Sequence, residues 1–158
     1  GHAHAGGAEF VMSCDLRVMS SEATFAVTEV RRGLIASGGS LVRMARQIPW
    51  AHAMELLLLG EPVSAQQALA MGLVNRVVEP GQVLATAMDL ARRMSLGAPV
   101  ALEKTKEAMV RSSGLPLEEA FAIETQCTKD NAAMPDAREG PRAFMEKRAP
   151  VFRGRAGT

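Results

Sequence analysis

Two carboxylates and a glycine pair are the first residues whose types could do chemistry. Glu9 follows Gly6-Gly7 in Gly6-Gly7-Ala8-Glu9-Phe10-Val11-Met12, where the glycines end a turn and open a short helix. By residue type alone, a Glu in a first helical turn matches the helix dipole and needs no function. Glu29, in Phe25-Ala26-Val27-Thr28-Glu29, reads as a solvated residue at the end of a strand. Held together in a dry pocket, two such groups can take a proton from one atom and deliver one to another. Gly6 adds a backbone N–H that a ligand can approach closely, because no Cβ stands in the way. Its plainer reading is a turn glycine. His2, His4 and His52 invite a metal reading, but Gly1 to Ala5 offers no third ligand, so no metal site is expected.

The elements that must position these groups fall into two parts. Leu16–Met19 and Thr24–Val30 read as strands separated by a turn at Ser20-Ser21-Glu22. Gly33 to Ser40 reads as a glycine-bearing loop, followed by helices at Leu41–Arg46 and Trp50–Leu59 that Pro49 separates and Gly60 closes. Ser64-Ala65-Gln66-Gln67 has capping-box spacing, and Gly72 suits the end of that helix. Leu73–Val78 alternates like a strand, and Pro80-Gly81 marks a boundary. Beyond it the pattern is helical. Val83, Leu84, Ala87, Met88, Ala91 and Met94 form an apolar stripe. Pro99–Val110 predicts a second helix, and Leu117, Ala120, Phe121, Glu124 and Cys127 share a face of a third. Asp136 with Glu139 caps a turn, and Pro141 suits the first position of a last helix through Arg148. The reading is α/β over residues 1–79 and α-helical over 80–158, with Met54, Met88 and Met94 as core residues.

Composition narrows the function classes. The 158 residues are 47% hydrophobic and 22% charged, the balance of an ordinary globular domain. A net charge of +1 gives no field that favours nucleic acid or a membrane surface. No apolar run reaches membrane-spanning length, since Glu55 interrupts the most apolar one, Ala51 to Leu59. Cys14 and Cys127 read as buried, reduced thiols in a cytosol-like compartment. The opening Gly1-His2-Ala3-His4 has neither an initiator Met nor the order of a signal peptide, and it reads as the middle of a longer polypeptide.

Several segments in register resemble the crotonase (enoyl-CoA hydratase/isomerase) family. Gly1 to Leu16 is similar to the family's strand, glycine turn and helix, with Glu9 followed six residues later by Asp15. Phe25-Ala26-Val27-Thr28-Glu29-Val30-Arg31-Arg32-Gly33-Leu34-Ile35 is similar to its Phe-x-x-Pro-Glu-x-x-x-Gly-Ile-Ile. Gly60-Glu61-Pro62-Val63-Ser64-Ala65, Gly72 to Val78, and Glu139 to Arg148 follow in order. The resemblance covers almost the whole chain. It implies the C-terminal portion of a ββα spiral followed by a helical trimerisation region, with about a hundred residues of a family member absent upstream.

It also implies a function: syn addition of water to an α,β-unsaturated acyl-CoA thioester. Glu9 would activate the water, Glu29 would give a proton to the α carbon, and the Gly6 N–H would be one donor of an oxyanion hole. Ser37 would offer a backbone N–H to the attacking water. Phe144 and Lys147 would reach the nucleotide end of CoA bound to a neighbouring subunit of a homotrimer or a dimer of trimers. No cofactor is implied, because CoA is part of the substrate. The chain departs from the family pattern at Thr28, where the family has Pro, and at Ala36-Ser37, where it has Pro-Gly. An isomerase of the family usually keeps one acid, so the pair Glu9 and Glu29 favours a hydratase. A crotonobetainyl- or carnitinyl-CoA type enzyme is the alternative carried by Glu139-Gly140-Pro141 and Arg153-Gly154-Arg155. From another class, a non-catalytic acyl-CoA-binding protein would keep the pocket and lose the chemistry. The related spiral-fold peptidases need a Ser by the glycine turn, and Gly1 to Ala8 has none.

Overall fold

The computed structural model describes residues 1–155, which divide into two compact units, Gly1–Leu90 and the residues from Ala91 onward. Helix α5 (Val83–Met94) carries the chain across that division.

The first unit is α/β. Strand β1 (Ala3–His4) leads into helix α1 (Gly6–Met12), and β2 (Val18–Ser20) and β3 (Thr24–Ala26) follow. Helices α2 (Ser40–Gln47) and α3 (Trp50–Leu59), strand β4 (Val63–Ser64), helix α4 (Ala65–Ala70) and strand β5 (Arg76–Val78) complete it. One sheet has the order β1-β3-β4: β1 runs parallel to β3, with Ala3 opposite Phe25, and β4 runs antiparallel. β2 and β5 form a second, parallel pair. The core lies between the sheets and helices, with Met12, Phe25, Val27, Met44, Leu56 and Leu73 fully buried. Each such side chain contributes about 1.5–3 kcal/mol by leaving water.

Local chemistry explains the boundaries. Ser64 Oγ accepts from the Gln67 N–H at 3.3 Å while Gln67 Oε1 accepts from the Ser64 N–H at 2.9 Å, so the capping box is complete. Gly72, at φ 75°, ends α4, and the Leu73 N–H returns to the Ala68 carbonyl at 2.8 Å. Two expected strands are shorter than the alternation implied. The second ends at Ala26, and Glu29–Arg32 form a 3-10 helix whose turn is closed by Arg31 N–H to Thr28 O at 3.2 Å. The i to i+3 bonds override the β-branched propensity of Val27, Thr28 and Val30. The Leu73–Val78 strand begins only at Arg76, because Leu73 and Val74 are buried in the turn that precedes it.

In the second unit, α6 (Pro99–Ser112) and α7 (Leu117–Ala132) pack together, and α8 (Asp136–Met145) follows. Lys104 Nζ bridges Glu107 at 2.8 Å and Asp130 at 2.9 Å. Those hydrogen bonds raise the lysine's pKa and lower those of both acids. Pro141 lies inside α8 rather than at a first position: the helix starts five residues earlier, and the N–H that proline lacks is one the Ala137 carbonyl would have accepted. Asp136 and Glu139 do not cap that turn by side chain. Asp136, only 4% exposed, accepts from the Arg153 and Gly154 N–H groups at 2.9 and 2.7 Å. Glu139 takes both Arg148 Nη atoms at 2.6 and 2.9 Å and the Val151 N–H at 2.9 Å. Two carboxylates thereby strap the tail onto α8.

Three core expectations are corrected. Met88 and Met94 are 45% and 51% exposed, Met54 is only partly buried, and no residue of α5 is buried. Periodicity shows which face is apolar, not what covers it. Cys14 is exposed and Cys127 buried, both as free thiols.

Candidate active site

The turn into α1 sets the site's geometry. Ala5, the residue before the helix, has φ 49° and ψ −121°, a conformation that favours glycine. Its N–H is tied to the Ala26 carbonyl at 3.0 Å, which fixes the end of β1 against β3. Gly6 and Gly7 follow on an exposed surface, and a Cβ built on either meets nothing within 4 Å. The Gly6 N–H is thus open at the start of α1, where helix N–H groups have no intrahelical partner.

Glu9 lies one turn further on. It is half-buried, and its Oε1 accepts from the Ser37 N–H at 2.9 Å, with Ser37 Oγ at 3.5 Å. The amide expected to hold a water therefore holds the carboxylate itself. The Ser37 carbonyl accepts from both the N–H and the hydroxyl of fully buried Ser40 at 3.0 Å, so the residue that meets Glu9 is also held through its following peptide. Arg43 Nη1 donates to the Gly38 carbonyl at 2.9 Å.

Glu29 opens the 3-10 helix, which Gly33 ends at φ 70°. Its Oε2 is buried with no hydrogen-bond partner, the sole side-chain oxygen or nitrogen so placed among the described residues. A buried carboxylate oxygen without a donor is costly, and such groups mark functional positions. The position where the family has Pro, Thr28, keeps an ordered backbone: its carbonyl accepts from Arg31 N–H and from Arg32 Nη1 at 3.2 Å.

Residue reasoning missed three supports of this site. Arg17 donates to the carbonyls of Cys14, Leu73 and Met12 and to Gln47, which ties the end of α1 to α2 and to the approach to β5. Burial lowers its pKa. Gly38 and Arg43 flank Ser37, where the sequence showed only a glycine-bearing loop from Gly33 to Ser40. His2 and His4 turn their rings onto the hydroxyl of Thr24, each at 2.8 Å. A cleft of ≈ 330 Å³, lined by Phe10, Val18, Met19 and Phe25 among others, does not include Glu9 or Glu29.

In the second unit, Phe144 is 83% exposed in the last turn of α8. Lys147 follows at φ 54°, and the Arg148 N–H returns to Ala143 O at 3.0 Å. This Schellman-type ending, with Lys where glycine is usual, sends Arg148 back to Glu139 while Phe144 and Lys147 stay exposed.

The family model described as enoyl-CoA hydratase/isomerase matches residues 1–155. The enoyl-CoA hydratase EchA19 of Mycobacterium tuberculosis is 42% identical over 155 residues, 98% of this chain and 58% of that protein. The carnitinyl-CoA dehydratase of Salmonella typhi is 36% identical, over 98% of this chain and 61% of its own length. The solved enoyl-CoA hydratase of Mycobacterium tuberculosis H37Rv matches with a TM-score of 0.93 at 39% identity, covering 98% of this chain and 61% of that one. The chain spans about three fifths of the length of these relatives. Over that stretch its fold is the α/β crotonase-like fold. A family model that matches 155 residues of this chain, in a fold shared with a solved hydratase, makes it a member of the enoyl-CoA hydratase/isomerase family.

Proposed function

We propose that the full-length protein is an enoyl-CoA hydratase that adds water syn across the α,β double bond of an acyl-CoA thioester. What supports this reading is that the two carboxylates have different surroundings: Glu9 is held by the Ser37 amide, and Glu29 has a buried oxygen with no donor. Glu9 takes a proton from water as its oxygen bonds to the β carbon. Charge then builds on the thioester oxygen, where the Gly6 N–H is one donor, and Glu29 delivers a proton to the α carbon. Water is consumed, and no external oxidant or cofactor enters the balance. Phe144 and Lys147 serve the nucleotide end of CoA on a neighbouring subunit, in a trimer or a dimer of trimers.

Glu9→Gln and Glu29→Gln in the full-length protein should each lower kcat by at least about 10²-fold, the range for a positioned acid or base. Thioester affinity should change little, since neither carboxylate anchors the nucleotide. Near-normal hydration in either variant removes that residue from the mechanism. A carnitinyl-CoA dehydratase activity is the second reading, favoured by the 36% identical relative of that name. Rates on crotonyl-, longer enoyl- and crotonobetainyl-CoA separate the two. An isomerase would shift the double bond without taking up water, and a non-catalytic acyl-CoA-binding protein would bind all three thioesters and turn over none.

A further inference from the structure

Gly38 lies directly against the Glu9 carboxylate. A Cβ built on it would stand 2.5 Å from Glu9 Oε2, 2.8 Å from Cδ and 3.1 Å from Cβ. Its φ of 56° is left-handed as well. The neighbouring atoms that would have to move belong to a flexible side chain, whereas the loop is braced. Ser40 holds the Ser37 carbonyl, and Arg43 Nη1 holds the Gly38 carbonyl. Relief of a clash at this position therefore goes through the carboxylate. Swinging Glu9 aside breaks its 2.9 Å bond to the Ser37 N–H and the longer 3.5 Å contact with the Ser37 hydroxyl.

We propose that Gly38 is a positioning residue for Glu9: its bare Cα is the floor that lets the carboxylate reach the Ser37 amide and keep one orientation. This rests on the reading of Glu9 as the group that activates water. The chemistry needs that orientation because a displacement of about 1 Å in a reacting group can cost on the order of 10²-fold in rate. A side chain on Gly38 would leave the acyl-CoA contacts in place and spoil the alignment, so the loss belongs to kcat rather than KM.

The test is Gly38→Ala in the full-length protein, with Gly72→Ala as its control. Gly72 has a comparable left-handed φ of 75° but nothing within 4 Å of its added Cβ, so it carries the backbone cost without the clash. Gly38→Ala should lower kcat by about 10²-fold at nearly constant KM, with a Tm loss no larger than that of Gly72→Ala. The amide NMR signal of Ser37 should lose the shift that the carboxylate bond gives it. Glu9→Gln with Gly38→Ala should be no slower than Glu9→Gln alone, because the two act through one group. A Tm loss far beyond the control, an unmoved Ser37 signal, or a rate loss that multiplies in the double variant overturns the proposal. If Glu9→Gln itself keeps the rate while the Ser37 signal moves in Gly38→Ala, the reading of Glu9 falls and the role of Gly38 in catalysis falls with it, but the packing stands.

Discussion

Ala5 pays for the site in backbone strain. At φ 49° and ψ −121° it occupies a region that side chains other than hydrogen rarely enter, at a cost on the order of 1–3 kcal/mol. The strain sits where β1 turns into α1 and the Gly6 N–H is presented, one turn before Glu9. Ala5→Gly should therefore stabilise the protein by about 1 kcal/mol, since release of strain outweighs the added freedom of glycine in the unfolded chain. Urea denaturation of the two proteins measures it, and a loss of stability would mean that the turn relaxes Ala5 by another route. The place of Glu9 in the first turn of α1 was legible from the two glycines before it, because a helix start is a local pattern. Its meeting with Ser37 and Gly38, 28 and 29 residues away, was not, since no local propensity encodes which loop closes over a helix. His2 and His4 show the same limit: the lack of a third ligand beside them was readable, but the Thr24 hydroxyl that both rings reach was not.

Elements set by short-range chemistry were legible in the sequence to within a residue or two. The Ser64 capping box, the Gly60 and Gly72 helix ends and the break at Pro49 all rest on contacts within five residues. Pro141 misleads for the same reason, because the preference for a first helical position is a local prior and α8 begins earlier. In place of a side-chain cap α8 has the tail strap, in which Asp136 and Glu139 hold residues from Arg148 to Gly154. Arg148, and then the Val151 amide, hold the Glu139 carboxyl down at about 2, against its ordinary 4.5. A carboxylate depressed in the folded state gives stability that is full above the unfolded value and is lost as pH falls through the folded one. Wild-type stability should therefore decline between about pH 5 and pH 2 more steeply than that of Glu139→Gln, which lacks the titrating group. Hydrogen exchange at the Val151 amide reads the strap directly: its protection should fall with acid in the wild type, while Glu139→Gln should be weakly protected throughout. Equal acid profiles in both proteins would separate the strap from this carboxylate.

At the scale of the molecule, the second unit has too little core to close its own apolar surface. Among its described residues only Val100, Cys127 and Ala143 are buried apolar groups. Leu117 and Phe121, one turn apart on α7, are 75% and 59% exposed, and Met109, Phe144 and Met145 are exposed too. The periodic stripe in the sequence was read correctly as a helix face, but periodicity is silent on whether the cover comes from the same chain or another. Lone exposed apolar side chains are ordinary, whereas a set of them on successive helices marks an interaction surface. We propose that a homo-oligomer supplies the cover, as in the trimer proposed above, and a closed symmetric assembly would bury the same face on every subunit. Leu117→Asp with Phe121→Asp should then reduce the full-length protein to smaller species in sedimentation velocity. Each charge would have to be buried unpaired in the interface, at a cost of several kcal/mol. The Lys104 bridge to Asp130 joins α6 to α7 independently of that face, so helix content by circular dichroism should be retained. An unchanged sedimentation coefficient in a folded double variant would show that these helices meet water in the native protein, and the assembly would have to be sought on another surface.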